Sequence, residues 1–269
     1  EYINTHSITL SHMNKDAWFV GNTAEVGLKA KIEAAGKPLK DWDIKINKGI
    51  MTGYNDAYYL SKETYENWIK EYPDCSSFIR PLFRGRNIDK YYTVQSLNNY
   101  VMVINDDFKI ENYNLILKYL SNFKEKLENR AQYVRGDHKW YAIDNCPSKE
   151  LVNSFNETKI IYPNMTSYPS FSLDDSGSVS NDKTFILTGE KNTMYYFTGV
   201  LNSTLSNYYL RKICASLGAD GIELRKIYML NYYVPVVNDR NKKIVDVIQK
   251  SVDQILTAKK SDPKADTKA

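Results

Sequence analysis

Two hydrophobic periods run through this chain, and they do not take turns in any regular order. Tyr113, Ile116, Leu117, Leu120, Phe123 and Leu127 recur at spacings of three and four, the stripe of an amphipathic helix over about 111–130. Trp42, Ile44 and Ile46 instead alternate as a strand, and short strands are predicted at 159–162, 170–173 and 183–187, the last two separated by the turn Asp174-Asp175-Ser176-Gly177-Ser178. Asn22 and Glu25 have capping-box spacing and open a helix at about 23–35, closed by Gly36 and Pro38. Ser61 caps a helix ending before Pro73, and further helices are predicted at 193–217, stopped by Gly218, and at 241–259. Extended runs are predicted at 18–20, 57–60, 91–104 and 227–237, and the Pro81- and Gly85-bearing stretch 78–90 reads as irregular. Strands and helices interspersed without βαβ alternation imply an α+β fold, a mixed sheet with helices collected toward the C-terminus. The expected division is a lead-in at 1–15, a body at 16–240, a closing helix at 241–259 and a disordered tail at 260–269.

At 269 residues with 42% hydrophobic content, the chain can bury a full core without a metal or disulfide staple. Its three cysteines, Cys75, Cys146 and Cys214, are widely spaced and suggest neither a disulfide framework nor a zinc knuckle. No apolar run reaches the ~18–20 residues of a membrane helix, and the first twenty residues lack signal-peptide order, so a cytoplasmic location and no membrane partner are expected. The opening Glu1-Tyr2-Ile3, without Met, suggests an excised part of a longer protein. The net charge of +4 is weak evidence for a nucleic-acid partner, because four Lys and two Asp in 259–268 supply half of it. With 28 Lys, 8 Arg and 25 Asn, arginine is the scarcer and more informative cation.

No Gly-rich phosphate loop and no methyl-donor motif occurs, and His6, His12 and His138 lie too far apart in sequence to suggest a triad or metal site. Glu157-Thr158-Lys159, with Asp74 upstream, has the loose form of a metal-dependent nuclease strand, a pattern common enough to arise by chance. More unusual are two glycine-bearing loops rimmed by cations. One runs from Ile46 through Lys48, Gly49, Thr52, Gly53 and Asn55 to Tyr58; the other, from Ile79 to Ile88, holds Arg80, Arg84 and Arg86, three of the eight arginines. Guanidinium forks suit phosphate or the acceptor edge of guanine, and Asn47, Asn55 and Asn87 have the side chain that reads adenine. The same cluster also reads as a solvated loop paired to acids such as Asp89.

The order Ile-x-Lys-Gly-Ile-x-Thr-Gly-x-Asn-x-Ala-Tyr at 46–58, then Ile-Arg-Pro-x-x-Arg-Gly-Arg-x-Ile at 79–88, resembles the target-recognition domain of type IIG restriction-modification enzymes, the TaqI-like C-terminal specificity domain of adenine-specific DNA methyltransferases. The likeness continues through Phe123-Lys124-x-Lys126-Leu127-x-x-Arg130, Trp140-Tyr141, 159–163 and Leu201-Asn202-Ser203 to Tyr233-Val234-Pro235-Val236, about residues 16–258 in all. The resemblance implies a non-catalytic part that chooses a double-stranded DNA sequence. A covalently preceding methyltransferase domain would supply the chemistry with S-adenosylmethionine, and magnesium where the parent also cuts; this part would hold no cofactor. It implies that Lys48, Thr52, Asn55, Arg80, Arg84, Arg86 and Lys139 face DNA, that Gly49, Gly53 and Gly85 permit tight turns, and that Trp140 and Tyr141 pack. The alternatives are a specificity part of a type I-like or phage-exclusion system, a free-standing nuclease using Asp74, Glu157 and Lys159, and a tyrosine-rich protein- or carbohydrate-binding module.

Overall fold

The computed structural model describes residues 21–93, 99–145 and 148–267. The predicted strand at 18–20, Cys146 and the side chain of Asn87 lie outside the described part. Helix α1 (Thr23–Ala35) opens on the predicted capping box, with Asn22 Oδ1 accepting from the Glu25 amide and Glu25 Oε2 from the Asn22 amide. Strands β1 (Gly36–Pro38), β2 (Ile44–Lys48) and β3 (Tyr59–Leu60) follow. Ser61 Oγ accepts from the Thr64 amide to start α2 (Lys62–Glu71), and Pro73, without an amide hydrogen, stands just past its end. Then come β4 (Ile79–Phe83), β5 (Tyr100–Met102) and α3 (Asn114–Ser121). A run of strands follows: β6 (Lys159–Pro163), β7 (Met165–Thr166), β8 (Ser172–Asp174), β9 (Val179–Ser180) and β10 (Thr184–Gly189). The chain closes with α4 (Lys191–Leu201), α5 (Thr204–Ile213), the hairpin β11 (Ala215–Gly218) and β12 (Gly221–Glu223), β13 (Tyr233–Pro235) and α6 (Lys242–Ser261). This is an α+β fold.

An antiparallel sheet ordered β2-β10-β6-β8 stands at the centre. Side chains alternate across it, so Ile46, Ile160, Tyr162, Phe185 and Leu187 enter one core with α4, α5 and α6, while Ile186 enters a second core on the opposite face. Burial on both faces explains why β6 and β10 read as unbroken apolar runs rather than alternating ones. The second core is built on the sheet β3-β5-β4-β9, in which β4 and β9 run parallel, and on α2, α3 and the turn Lys124–Glu128. Lys159 lies fully buried at one end of β6, where its Nζ donates to the Phe155 carbonyl and sits 2.6 Å from Asp174 Oδ2. Burial alone would raise the Asp174 carboxyl. The Lys159 charge, with hydrogen bonds from Lys159, Ser176 and Ser178, outweighs that and holds it below the usual range.

Several elements depart from the sequence expectation. The stripe at 111–130 is not one helix but α3 and a second turn bent at Asn122, because Leu120 and Leu127 reach the same core across the bend. The predicted helix 193–217 divides into α4 and α5, and its last residues join a hairpin. There Asn202 spends its side chain on the Phe171 amide and carbonyl, and Ser203 caps the new helix. Of the run 57–60 read as extended, Ala57 and Tyr58 end a helical turn (Asn55–Tyr58) and Tyr59–Leu60 is strand; of 227–237, the start lies in a helical turn (Lys226–Met229) and Tyr233–Pro235 is strand; and of 91–104 only β5 is a described strand. The stretch read as irregular is half strand, since 79–83 is β4.

Candidate nucleic-acid interface

Both cation-bearing segments end against the same turn, Asn181 to Lys183 between β9 and β10. After Lys48 leaves β2, the Gly49 amide donates to the Thr184 carbonyl and the Ile50 amide to the Ser180 carbonyl. A Cβ on Gly49 would be driven into the Asn181 carbonyl, so the close approach admits glycine alone. From the other side, Phe83 pairs with Ser180, and a Cβ on Gly85 would lie 2.9 Å from the Lys183 carbonyl. The two loops, 37 residues apart in sequence from Lys48 to Gly85, thereby become neighbours.

Between them opens a cavity of about 580 Å³ lined by Lys48, Arg86, Asn164, Thr166, Tyr168 and Lys183, among others. Three cations face two acids, Asp89 and Asp182, and Asp182 is already paired to Lys183 at 2.8 Å. Lys48 and Arg86 are exposed, and Lys183 keeps 74% of its side chain in solvent. The Asn164 backbone is fixed on both sides, its amide donating to the Lys183 carbonyl and its carbonyl accepting from the Leu224 amide.

Other residues of the predicted set lie off this wall. Arg80 donates from Nη1 to Asn156 Oδ1 at 2.8 Å. Arg84 is half-buried with its guanidinium 5.0 Å from the centre of the Tyr59 ring, and its Nε is buried without a hydrogen-bond partner among the described residues. Thr52 is 2% exposed, and its hydroxyl donates to Asn55 Oδ1 at 2.7 Å, which makes it a brace for the loop rather than a surface group. Lys139 is exposed near a different set of aromatics, its Nζ 5.6 Å from the centre of the Tyr141 ring. Tyr141 itself packs in the second core.

Arg130 explains why 123–130 and 140–141 belong with the first loop. Its buried guanidinium donates to the carbonyls of Leu127, Thr52, Trp140 and Ala142. It also lies 2.9 Å from Asp144 Oδ1, a contact of charges without hydrogen-bond alignment. Gly53, at φ +77°, turns the chain directly over the Asp144 carboxylate, where a side chain has no room. Burial raises the Asp144 carboxyl, with the Arg130 charge opposing. Lys183, Tyr168, Asn164 and Thr166 were not singled out in the sequence; the Asn-Asp-Lys turn at 181–183 was the only available hint of one of them.

The nuclease set does not assemble around Lys159. That residue is sealed between Asp174 and the Phe155 carbonyl, Asp74 accepts from the Tyr113 hydroxyl, and Glu157 is an exposed residue ahead of β6. Among the described residues no group of three or more His, Cys, Asp or Glu is placed to hold a metal ion, and no helix is long and apolar enough to cross a membrane.

Residues 80–236 match the family model of the TaqI-like C-terminal specificity domain. A curated relative, the type II methyltransferase M.BanIII of Aneurinibacillus aneurinilyticus, is 25% identical over 182 residues, covering 65% of this chain and 30% of the relative. Among solved structures, the type IIL restriction-modification enzyme MmeI, in complex with DNA, is similar with a TM-score of 0.57 at 14% identity over 85% of this chain and 29% of that one. The type IIG restriction endonuclease BpuSI is similar with a TM-score of 0.52 at 13% identity over 86% and 28%. The likeness to these two structures is one of fold. The chain spans 30% of the curated relative's length.

Proposed function

This chain belongs to the family of TaqI-like C-terminal specificity domains, and from that membership we propose that it is the DNA target-recognition part of a fused type II restriction-modification enzyme. The observation that carries the reading is the convergence of two separate loops on one turn, which gathers Lys48, Arg86 and Lys183 at the rim of a single polar cavity. Phosphates on either side of a groove would meet these cations and fix register, while loop side chains reach base edges. The parent would methylate adenine from S-adenosylmethionine in a preceding, covalently linked domain, with magnesium if it also cleaves, in the cytoplasm. Neither group is placed in the cavity described here: its three cations outnumber the carboxylates of Asp89 and Asp182, and Asp182 is already paired to Lys183, a balance that suits a polyanion better than a sulfonium or a divalent ion.

The test is selection of duplexes from a randomised pool by the 269-residue chain, followed by sequencing. One enriched sequence, bound with a linear fall of log K against log salt, is the expected result. Enrichment of no sequence, together with unmeasurable duplex affinity at low salt, would remove the reading.

A further inference from the structure

Among the described residues Tyr168 is the most exposed large hydrophobic side chain, at 78%, yet the backbone beneath it is tied by several hydrogen bonds. Thr166 Oγ1 accepts from the Tyr168 amide at 3.0 Å and donates to the Tyr168 carbonyl at 2.8 Å. Ser170 Oγ donates to that same carbonyl, and Pro169, whose ring restricts the residue before it, is buried directly after. From outside the turn, Arg211 donates Nη2 to the Ser167 carbonyl, Nη1 to the Asp220 carbonyl and Nε to Asn207 Oδ1, pinning the turn to α5 and to the β11–β12 hairpin. Such bracing under a ring left in water contributes nothing to burying that ring. It does remove the ordering cost of presenting the ring to something else. What stands beside it is a cavity rimmed by Lys48, Arg86 and Lys183.

We propose that Tyr168 is a stacking residue: its ring lies against the face of a nucleobase made accessible where the bound duplex is opened or kinked, while the three cations hold the flanking phosphates. The proposal rests on the DNA-recognition reading and adds a chemical class of contact to it. A flat π-surface matches any of the four bases, so the contact positions the distortion and does not choose the sequence. Tyrosine suits this because its two side-chain torsions leave little freedom to lose. The hydroxyl is incidental, so phenylalanine serves equally and alanine does not.

The experiment uses the chain and the duplex selected as above. 5-Iodouracil or 5-iodocytosine is placed at each pyrimidine in turn, complexes are irradiated, and adducts are mapped by peptide mass spectrometry. The expected result is an adduct at Tyr168 from one or two adjacent positions only. Tyr168→Phe should bind as the unchanged chain does, and Tyr168→Ala should bind roughly 5- to 150-fold more weakly, with the melting temperature unchanged in both. Full affinity in Tyr168→Ala with no adduct at Tyr168 would overturn the stacking role while leaving DNA recognition standing. Equal losses in the Phe and Ala variants would overturn it in favour of a hydroxyl hydrogen bond. A chain that enriches no duplex fails the functional reading itself, before the Tyr168 variants are made.

Discussion

Arg130 and Lys159 are both buried, and they differ in what they hold. Arg130 gathers four carbonyls from four separate positions, so its planar fork cannot be replaced by the single ammonium of lysine. Arg130→Ala should cost about 3–5 kcal/mol, since it strands both those carbonyls and the Asp144 carboxylate, and Arg130→Lys should recover only part of that in urea unfolding. Lys159 has one partner of opposite charge, Asp174, which is held below the usual carboxylate range. A depressed carboxyl contributes stability that is fully present above about pH 4, the unfolded value, and is lost as pH falls further through the folded value. Urea midpoints measured from pH 7 downward should therefore drop below about pH 4. In Asp174→Asn that acid-dependent loss should shrink, while stability at neutral pH falls by about 3–5 kcal/mol because Lys159 is left buried without a counter-charge. Asp144 works in the opposite sense: its carboxyl is raised, so its protonation on acidification adds stability and opposes part of the Asp174 effect.

Among the elements, the docking of Gly49 on the β9–β10 turn leaves no room for a side chain. Gly49→Ala places a methyl against backbone, which no rotamer change relieves, and should cost at least about 2 kcal/mol by urea unfolding with an unchanged m-value. Duplex affinity should fall with it as Lys48 swings away; a variant with native stability and affinity would show that the turn yields. The capped helices, the buried runs of β6 and β10 and the closing helix were legible in the sequence because each is written locally, in a cap or a period. The breaks at Asn122 and Asn202 were not, because periodicity survives a bend when both halves face one core, and what Asn202 bonds lies 31 residues away at Phe171. The placement of the candidate residues was legible only in part. Of the residues expected to face DNA, Lys48 and Arg86 are exposed beside one cavity, whereas Thr52 is buried and Arg84 half-buried, since only tertiary contact shows which way a loop residue faces. Tyr168 carries no local signature, and Lys183 only the Asn-Asp-Lys turn in which it sits.

For the whole molecule, the separation of surface cations from braced ones predicts how salt acts on binding. Lys48→Ala and Arg86→Ala should each flatten the slope of log K against log salt by about 0.9 on any duplex, whereas Arg80→Ala, whose guanidinium already bonds Asn156, should change the slope by much less. An unaltered slope in both of the first two variants would place the phosphate-contacting face elsewhere, with Lys139 the first candidate. At the far end, Lys260 touches Asp175 at 3.2 Å with both side chains about half exposed, and α6 closes at Ser261. Ending the chain at Ser261 should leave the melting temperature within about 2 °C by calorimetry. The meeting of Gly49, Gly85 and the 181–183 turn has a last consequence for anyone wishing to graft this wall onto another scaffold. Residues near 48, 86, 164–168 and 183 are far apart along the gene yet share one wall, so no short contiguous cassette contains them. Exchanging a single loop would set a foreign surface against the native turn. A transferable unit has to be assembled from all four segments together with the strands β9 and β10 that the turn connects.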